Sequence, residues 1–263
     1  MVERYSNAPS GSGRGSAPDP LVARELLAAR AMTTRTSRRA ATVCLILALG
    51  LATASAFQIA PEDHHRQITF QAIKKLGLAD SPAFDFDYYM LQIGNADSGQ
   101  DLHQGENRFH VDNCAFAAST AYVREQWQLI ASLHDPHDLG SVHALGRLLH
   151  AVQDFYAHSN WIELHVNSPT IPLWNLDPAT LPQGCYSGRW NQGTNLCGPG
   201  VPHHDEMNKD APTTPRGRVV VATGPHKGQL LFDLAAEAAM RATMRELTRY
   251  FRLTDAAPPT ASE

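Results

Sequence analysis

The chain has 263 residues, 43% hydrophobic and 18% charged, with a formal net charge of −4. That composition excludes a disordered, fibrous or collagen-like chain. After residue 56 no run of about 18 apolar residues occurs, which excludes a membrane-spanning helix of ordinary length there.

Residues 1–31, with "SNAPSGSGRGSAPDP", read as low-complexity sequence or a start set too far upstream, Met32 being the alternative start. Next come Arg35, Arg38 and Arg39, the apolar run "AATVCLILALGLA", and "TASA" before Phe57. This order predicts a signal peptide over 32–56, cleaved after Ala56, and a secreted or periplasmic protein. An uncleaved anchor is the alternative. Residues 57–263 hold 15 Lys/Arg against 23 Asp/Glu, a net of −8, and all 13 histidines. An acidic chain is a poor electrostatic partner for nucleic acid unless metal ions neutralise its site.

Helical periodicity then dominates. "PEDHHRQITFQAIKKLGL" has apolar spacing at Ile68, Ala72 and Ile73 and a stop at Gly77. A short second helix is expected over 84–95, a third over 112–134, a fourth over 135–165 and a fifth over 229–251. Residues 167–228 are rich in Pro and Gly, with "RVVVATG" as a short β segment. So long an aperiodic stretch points to a functional or cross-linked insertion. Cys185 and Cys197 close a short loop in it and are the expected disulfide, leaving Cys114 odd. Zinc ligation by cysteine lacks the usual close spacing. The expected fold is all-α: a single helical domain over 57–255 with a long irregular insertion, and a disordered tail over 256–263.

The fourth helix carries "LLHAVQDFYAHSNW". At 100° per residue, Leu145, Leu148, Leu149, Val152, Phe155 and Tyr156 share an arc of about 120° and form the core face. His150, Asp154 and His158 lie opposite. They are either a solvated face or a row of ligands. Solvated faces favour Glu, Lys and Arg, which are good helix formers and pair at i, i+4. The flanking Gly146, Ala151 and Ala157 are small enough to admit a neighbouring helix. The two histidines stand about 12 Å apart along the axis, too far to share one ion with bonds of about 2 Å. Several metals, with Asp154 bridging two, is the arrangement this spacing allows.

Other candidates lie in "GNADSGQDLHQGENRFHVDN": Asp97, Asp101, His103, His110 and Asp112, with Asp101 and His110 the preferred pair. Turn chemistry would explain the same composition. His64 and His65 open the first helix. "VPHHDE", 203–206, reads as a polar surface loop. Trp174, Tyr186 and Trp190 are aromatics of the insertion that either stack on bases, meet a lipid surface or pack the insertion.

"ALGRLLHAVQDFYAHSNWIEL" resembles the helix of the Het-C heterokaryon-incompatibility family and of the amino-terminal regions of von Willebrand A domain-containing proteins. "HRQIT", "FHVDN" and "MNKDAPTTP" are similar to further blocks of those families. They in turn look like distant relatives of zinc-dependent phospholipases C and single-strand-specific zinc nucleases. The resemblance implies two or three zinc ions held by Phe57 through its free amine and carbonyl, His65, Asp101, His110, His150 and a bridging Asp154, with His158 beginning a third site. The later H-x-x-x-E that completes that site in the phospholipases is absent, and Glu163 or His226 would substitute. Phe232 stands where relatives often have His. The function implied is a secreted zinc-dependent phosphodiester hydrolase in which metal-bound hydroxide attacks phosphorus. Its substrate would be a phospholipid at a membrane surface or a nucleic acid. The alternative is a non-catalytic, metal-stabilised secreted interaction or toxin-like module of the Het-C type.

Overall fold

The structure is a computed structural model describing residues 58–59, 62–81 and 84–254. The low-complexity start, the expected signal peptide, Phe57 and the tail over 256–263 lie outside the described residues. Two two-residue strands, β1 (Gln58–Ile59) and β2 (Glu62–Asp63), pair antiparallel with Gln58 opposite Asp63. The remaining regular structure is helical: α1 (His64–Lys75), α2 (Phe86–Ser98), α3 (Asn107–His110), α4 (Phe116–Leu133), α5 (Leu139–His158), α6 (Trp161–His165), α7 (His204–Met207) and α8 (Leu231–Thr254), joined by loops and short 3₁₀ turns. The chain is all-α in class, as its periodicity predicts.

Helix α5 is the axis, packed against α2, α4 and α8, while α1 leans on α8. The Asp138 side chain accepts from Ser141 N–H and starts it, meeting an otherwise unpaired donor of the first turn. The predicted core face is buried throughout: Leu145, Leu148, Leu149, Val152, Phe155 and Tyr156 are each 2% exposed or less. Phe155 stacks on Trp174 at 4.3 Å between ring centroids and meets Trp161 at 5.3 Å. Trp174 therefore belongs to the core, and the reading of it as a stacking platform for bases is wrong. Gly146 sets the approach of α2, since a Cβ there would lie 2.6 Å from the carbonyl oxygen of Ile93.

The fourth helix was expected to run unbroken to 165. It stops at His158, because Ser159 is extended and Asn160 is held by the irregular segment: its Nδ2 donates to Gly184 O and its Oδ1 accepts from Tyr186 N–H. The last carbonyls of α5 find donors there too, Ala157 O in Lys209 N–H and His158 O in Gly188 N–H. The third helix begins at Phe116 rather than 112, because Asn113 and Cys114 both take left-handed backbone (φ 55° and 58°). "RVVVATG" forms no strand; a single antiparallel bridge joins Val220 to Leu230.

The disulfide is Cys114–Cys197, with Cα atoms 5.1 Å apart, and not Cys185–Cys197. The reason lies in Asn113. Its N–H donates to Gly188 O and its carbonyl accepts from Leu196 N–H. Its Nδ2 donates to Trp190 O and Gln192 O. The loop is thereby laid along Cys114. Cys185 sits instead near Glu163 and Lys209; burial, then the Glu163 charge, pushes its thiol up to about 12. The crosslink spans 83 residues of sequence. Replacing both Cys114 and Cys197 with Ala is expected to cost about 2–4 kcal/mol, read from denaturant unfolding.

Candidate metal centre

Polar residues of α5 are as deeply buried as its leucines: His150, Gln153 and Asp154 are 0% exposed and His158 is 1%. The solvated-face alternative is therefore excluded for this row. The row does reach the edge at its amino-terminal end, where His143 meets Gln92 and Arg147 donates to Gln126 Oε1.

The carboxylate of Asp154 is the meeting point. Its Oδ1 lies 3.1 Å from His65 Nε2 on α1. Its Oδ2 lies 3.2 Å from His110 Nδ1 on α3 and 3.1 Å from His150 Nε2 one turn earlier on α5. Asp97, in the last turn of α2, puts Oδ1 3.2 Å from His150 Nδ1 and 3.6 Å from His65 Nδ1. Asp101, four residues on, lies 3.8 Å from His150 Nε2. Two overlapping groups could each hold a metal ion, His65/Asp97/His150 and Asp101/His110/His150.

A further group lies beyond His110. Asp112 Oδ1 is 2.9 Å from His204 Nδ1 and 3.6 Å from His158 Nδ1, and Asp112, His158 and His204 form a third potential metal-holding set. Asp210 Oδ1 lies 3.2 Å from His158 Nε2. His158 is thus brought beside Asp112, His204 and Asp210, with Asp154 Oδ2 at 4.0 Å. Glu163 and His226 are not its companions. Glu163 pairs with Lys209 and Arg216; His226 contacts Ser168 O and Gln229. Nor is "VPHHDE" wholly surface: His203 is partly exposed, but one residue on, where α7 begins, His204 turns inward beneath Trp190, ring centroids 4.9 Å apart. Phe232 packs edge-on against the His64 ring at 5.1 Å.

Electrostatics couples these groups. Burial opposes a charge on His65, but Asp97 and Asp154 raise it to about 9. Burial is likewise outweighed at His158, raised to about 10 by Asp154, Asp210 and Asp112, and at His150, held well above its ordinary value by Asp154 and Asp101. Asp154 is held well below the carboxylate range despite burial, by His150 and His158. Asp101 goes the other way, to about 7, because burial exceeds the pull of His150 and His65. Burial lowers His110.

The donor set fits a cation. Asp101 Oδ1, His110 Nε2, Asp112 Oδ2 and Asp154 Oδ1 are buried and make no hydrogen bond. Buried carboxylates persist when paired or when they coordinate metal. Orientation is also fixed from outside. Gln153 Nε2 donates to Thr69 and Thr243 hydroxyls at 3.0 and 3.1 Å. Its Oε1 therefore accepts from His65 Nδ1 at 2.7 Å, which leaves Nε2, facing Asp154, as the nitrogen that could ligate a metal. Similarly, His158 Nδ1 donates to His110 O at 2.9 Å. Gln153→Leu is expected to weaken metal binding about 10–100-fold without removing a ligand, measured by competition with a fluorescent chelator.

Of the sequence-derived ligands, His65, Asp101, His110, His150, Asp154 and His158 converge; Phe57 lies outside the described residues. Asp97 and Asp112 were among the loop candidates but outside the preferred pair. The four-residue step from Asp97 to Asp101 was the signal that both turn inward. Asp210 was missed: "MNKDAPTTP" was legible as a family block, but its aspartate has no local ligand partner to mark it.

Residues 69–180 match the family described as VWA7 N-terminal domain. The matched segment carries Asp97, Asp101, His110, Asp112, His150, Asp154 and His158, while His65, His204 and Asp210 lie outside it. No curated protein and no solved structure matches the chain.

Proposed function

We propose that the chain is a secreted zinc-dependent hydrolase of phosphodiester bonds. The observation that carries this reading is the convergence of three imidazoles from three helices on one buried carboxylate, Asp154. A second aspartate on each side, Asp97 and Asp101, completes a mixed nitrogen–oxygen donor set. So many imidazoles suit zinc better than magnesium or calcium, which take oxygen ligands. The motif resemblance to Het-C proteins, phospholipases C and zinc nucleases supports the same class. The disulfide fits an oxidising compartment, and no described helix is long and apolar enough to cross a membrane.

His65, Asp97, Asp101, His110, His150 and Asp154 would hold two ions, and Asp112, His158, His204 and Asp210 a third. Bound zinc supplies Lewis-acid stabilisation of charge on phosphoryl oxygens and lowers the pKa of water. The chain supplies the rest. Asp154 joins the two halves of the first centre. Gln153 and the His110 carbonyl fix which nitrogens of His65 and His158 face inward. The surrounding helices exclude bulk water, which strengthens every charge interaction inside.

A non-catalytic, metal-stabilised module is favoured by one observation: depth. His65, His110, His150 and Asp154 are 0–1% exposed. The least covered members are Asp97 at 5% and His204 at 6%. The two readings separate on one assay: hydrolysis of a soluble chromogenic phosphodiester by zinc-replete protein. The enzyme predicts turnover abolished by chelator; the module predicts none.

A further inference from the structure

The outer face of α8 carries a row of arginines. At 100° and 1.5 Å per residue, Arg241, Arg245, Arg249 and Arg252 fall within an arc of about 80° and span about 16 Å of the helix. They line one groove of about 570 Å³, with Leu76 and Met244 as its apolar walls and no carboxylate in the lining. That volume suits a small molecule. Two carboxylates of the same helix lie close by: Glu237 faces Arg241 Nε at 3.8 Å, and Glu246 is buried. Like charges at i, i+4 destabilise a helix, and Arg241, Arg245 and Arg249 repeat that spacing twice. The dipole at the end of α8 favours arginine only in the last turn, which accounts for Arg252 and leaves the other three unexplained.

The row is held in place from below. Arg241 donates to Ile171 O, so most of its capacity is taken. Arg245 donates Nε to Glu246 Oε1 and Nη1 to Trp174 O, both at 2.6 Å, while its Nη2 is buried and makes no hydrogen bond. A buried donor of this kind calls for an acceptor. Arg249 lies over the Trp127 ring, Cζ 4.1 Å from the centroid, and the indole Nε1 donates to Glu246. A guanidinium stacked on an aromatic face keeps its N–H edges clear. Arg249 and Arg252 are exposed. We propose that this groove binds a small soluble phosphate monoester, its phosphoryl oxygens accepting from Arg245, Arg249 and Arg252 and its organic body meeting Leu76 and Met244. Arginine forks match phosphate oxygens in shape as well as in charge. The acidic chain as a whole repels an extended polyanion, which favours a small ligand over nucleic acid. The groove is separate from the metal centre: Thr243, which holds Gln153, lies across α8, about 160° from Arg245. The inference therefore does not rest on the hydrolase reading.

The test is calorimetric titration of the full chain with inorganic phosphate and with phenyl phosphate. Wild-type protein binds both, and phenyl phosphate more tightly, because its ring covers apolar surface. Arg249→Gln with Arg252→Gln lowers both affinities at least about tenfold, through the loss of charge-assisted hydrogen bonds. Arg249→Lys keeps the charge but not the planar fork, and also weakens binding. These variants keep the wild-type zinc content, which shows that the fold survives. Asp154→Asn leaves the arginine-dependent binding unchanged, which separates it from anion capture by zinc. Wild-type protein that binds neither anion, or arginine variants that bind both as wild type does, overturns the inference. So does binding that disappears with Asp154→Asn, because the anion would then sit on the metal ions. Full affinity in Arg249→Lys would reduce the groove to a general charge effect and overturn it as a built site. Phenyl phosphate held no more tightly than inorganic phosphate overturns the assignment of an ester.

Discussion

Asp154→Asn is expected to lower bound zinc by more than one ion per chain and to cut phosphodiester hydrolysis by well over about 100-fold, beyond the loss typical of outer hydrogen-bond partners. The substitution keeps shape and volume, removes the charge and replaces one of the two acceptor oxygens with an NH2 donor. Asp154 is the one carboxylate that meets His65, His110 and His150 together, and it lies 4.0 Å from His158. Each potential group of the first centre contains at least one of those imidazoles. Losing its charge should therefore be felt by both groups. Elemental analysis against protein concentration checks the first part and a chromogenic diester the second. Loss of a single ion would show that Asp154 serves one group only.

Gly146→Val should unfold at markedly lower denaturant than wild type and bind less zinc, although Gly146 is no ligand. A Cβ at this position meets Ile93 O at 2.6 Å, Ala96 Cβ at 2.9 Å and Ile93 Cα at 3.2 Å. Two of those atoms are backbone, so relief requires α2 to move as a body. Overpacking of this kind costs about 1–3 kcal/mol, and the smaller helix-propensity penalty of valine relative to glycine does not offset it. Because α2 ends one residue after Asp97 and leads directly to Asp101, displacing it withdraws two carboxylates at once. Equal stability with full metal content would mean that α2 yields without consequence.

These two residues also show what was legible in the sequence. The apolar arc of α5 and the small residues beside its polar row pointed to an internal helix face, and the four-residue spacing pointed to Asp154 as the residue on which the imidazoles meet. Both depend on the local 3.6-residue period. His204 and Asp210 could not be read the same way. They lie in an aperiodic segment, and their positions depend on long-range hydrogen bonds: Lys209 N–H to Ala157 O, and His204 N–H to Arg189 O. The disulfide failed for the same reason. Proximity in sequence favoured Cys185–Cys197, whereas two left-handed residues and the Asn113 side chain bring Cys197 to Cys114 across 83 residues. The end of α5 at His158, likewise, follows from the segment that covers it and not from any breaker in "AHSNWIEL".

The most direct test of the central claim is zinc stoichiometry measured together with phosphodiester hydrolysis on the same preparation, before and after chelation. At least two zinc ions per chain, with hydrolysis lost on chelation and restored by zinc, is the predicted result. Fewer than two ions, or fully loaded protein that leaves the diester intact, would contradict it.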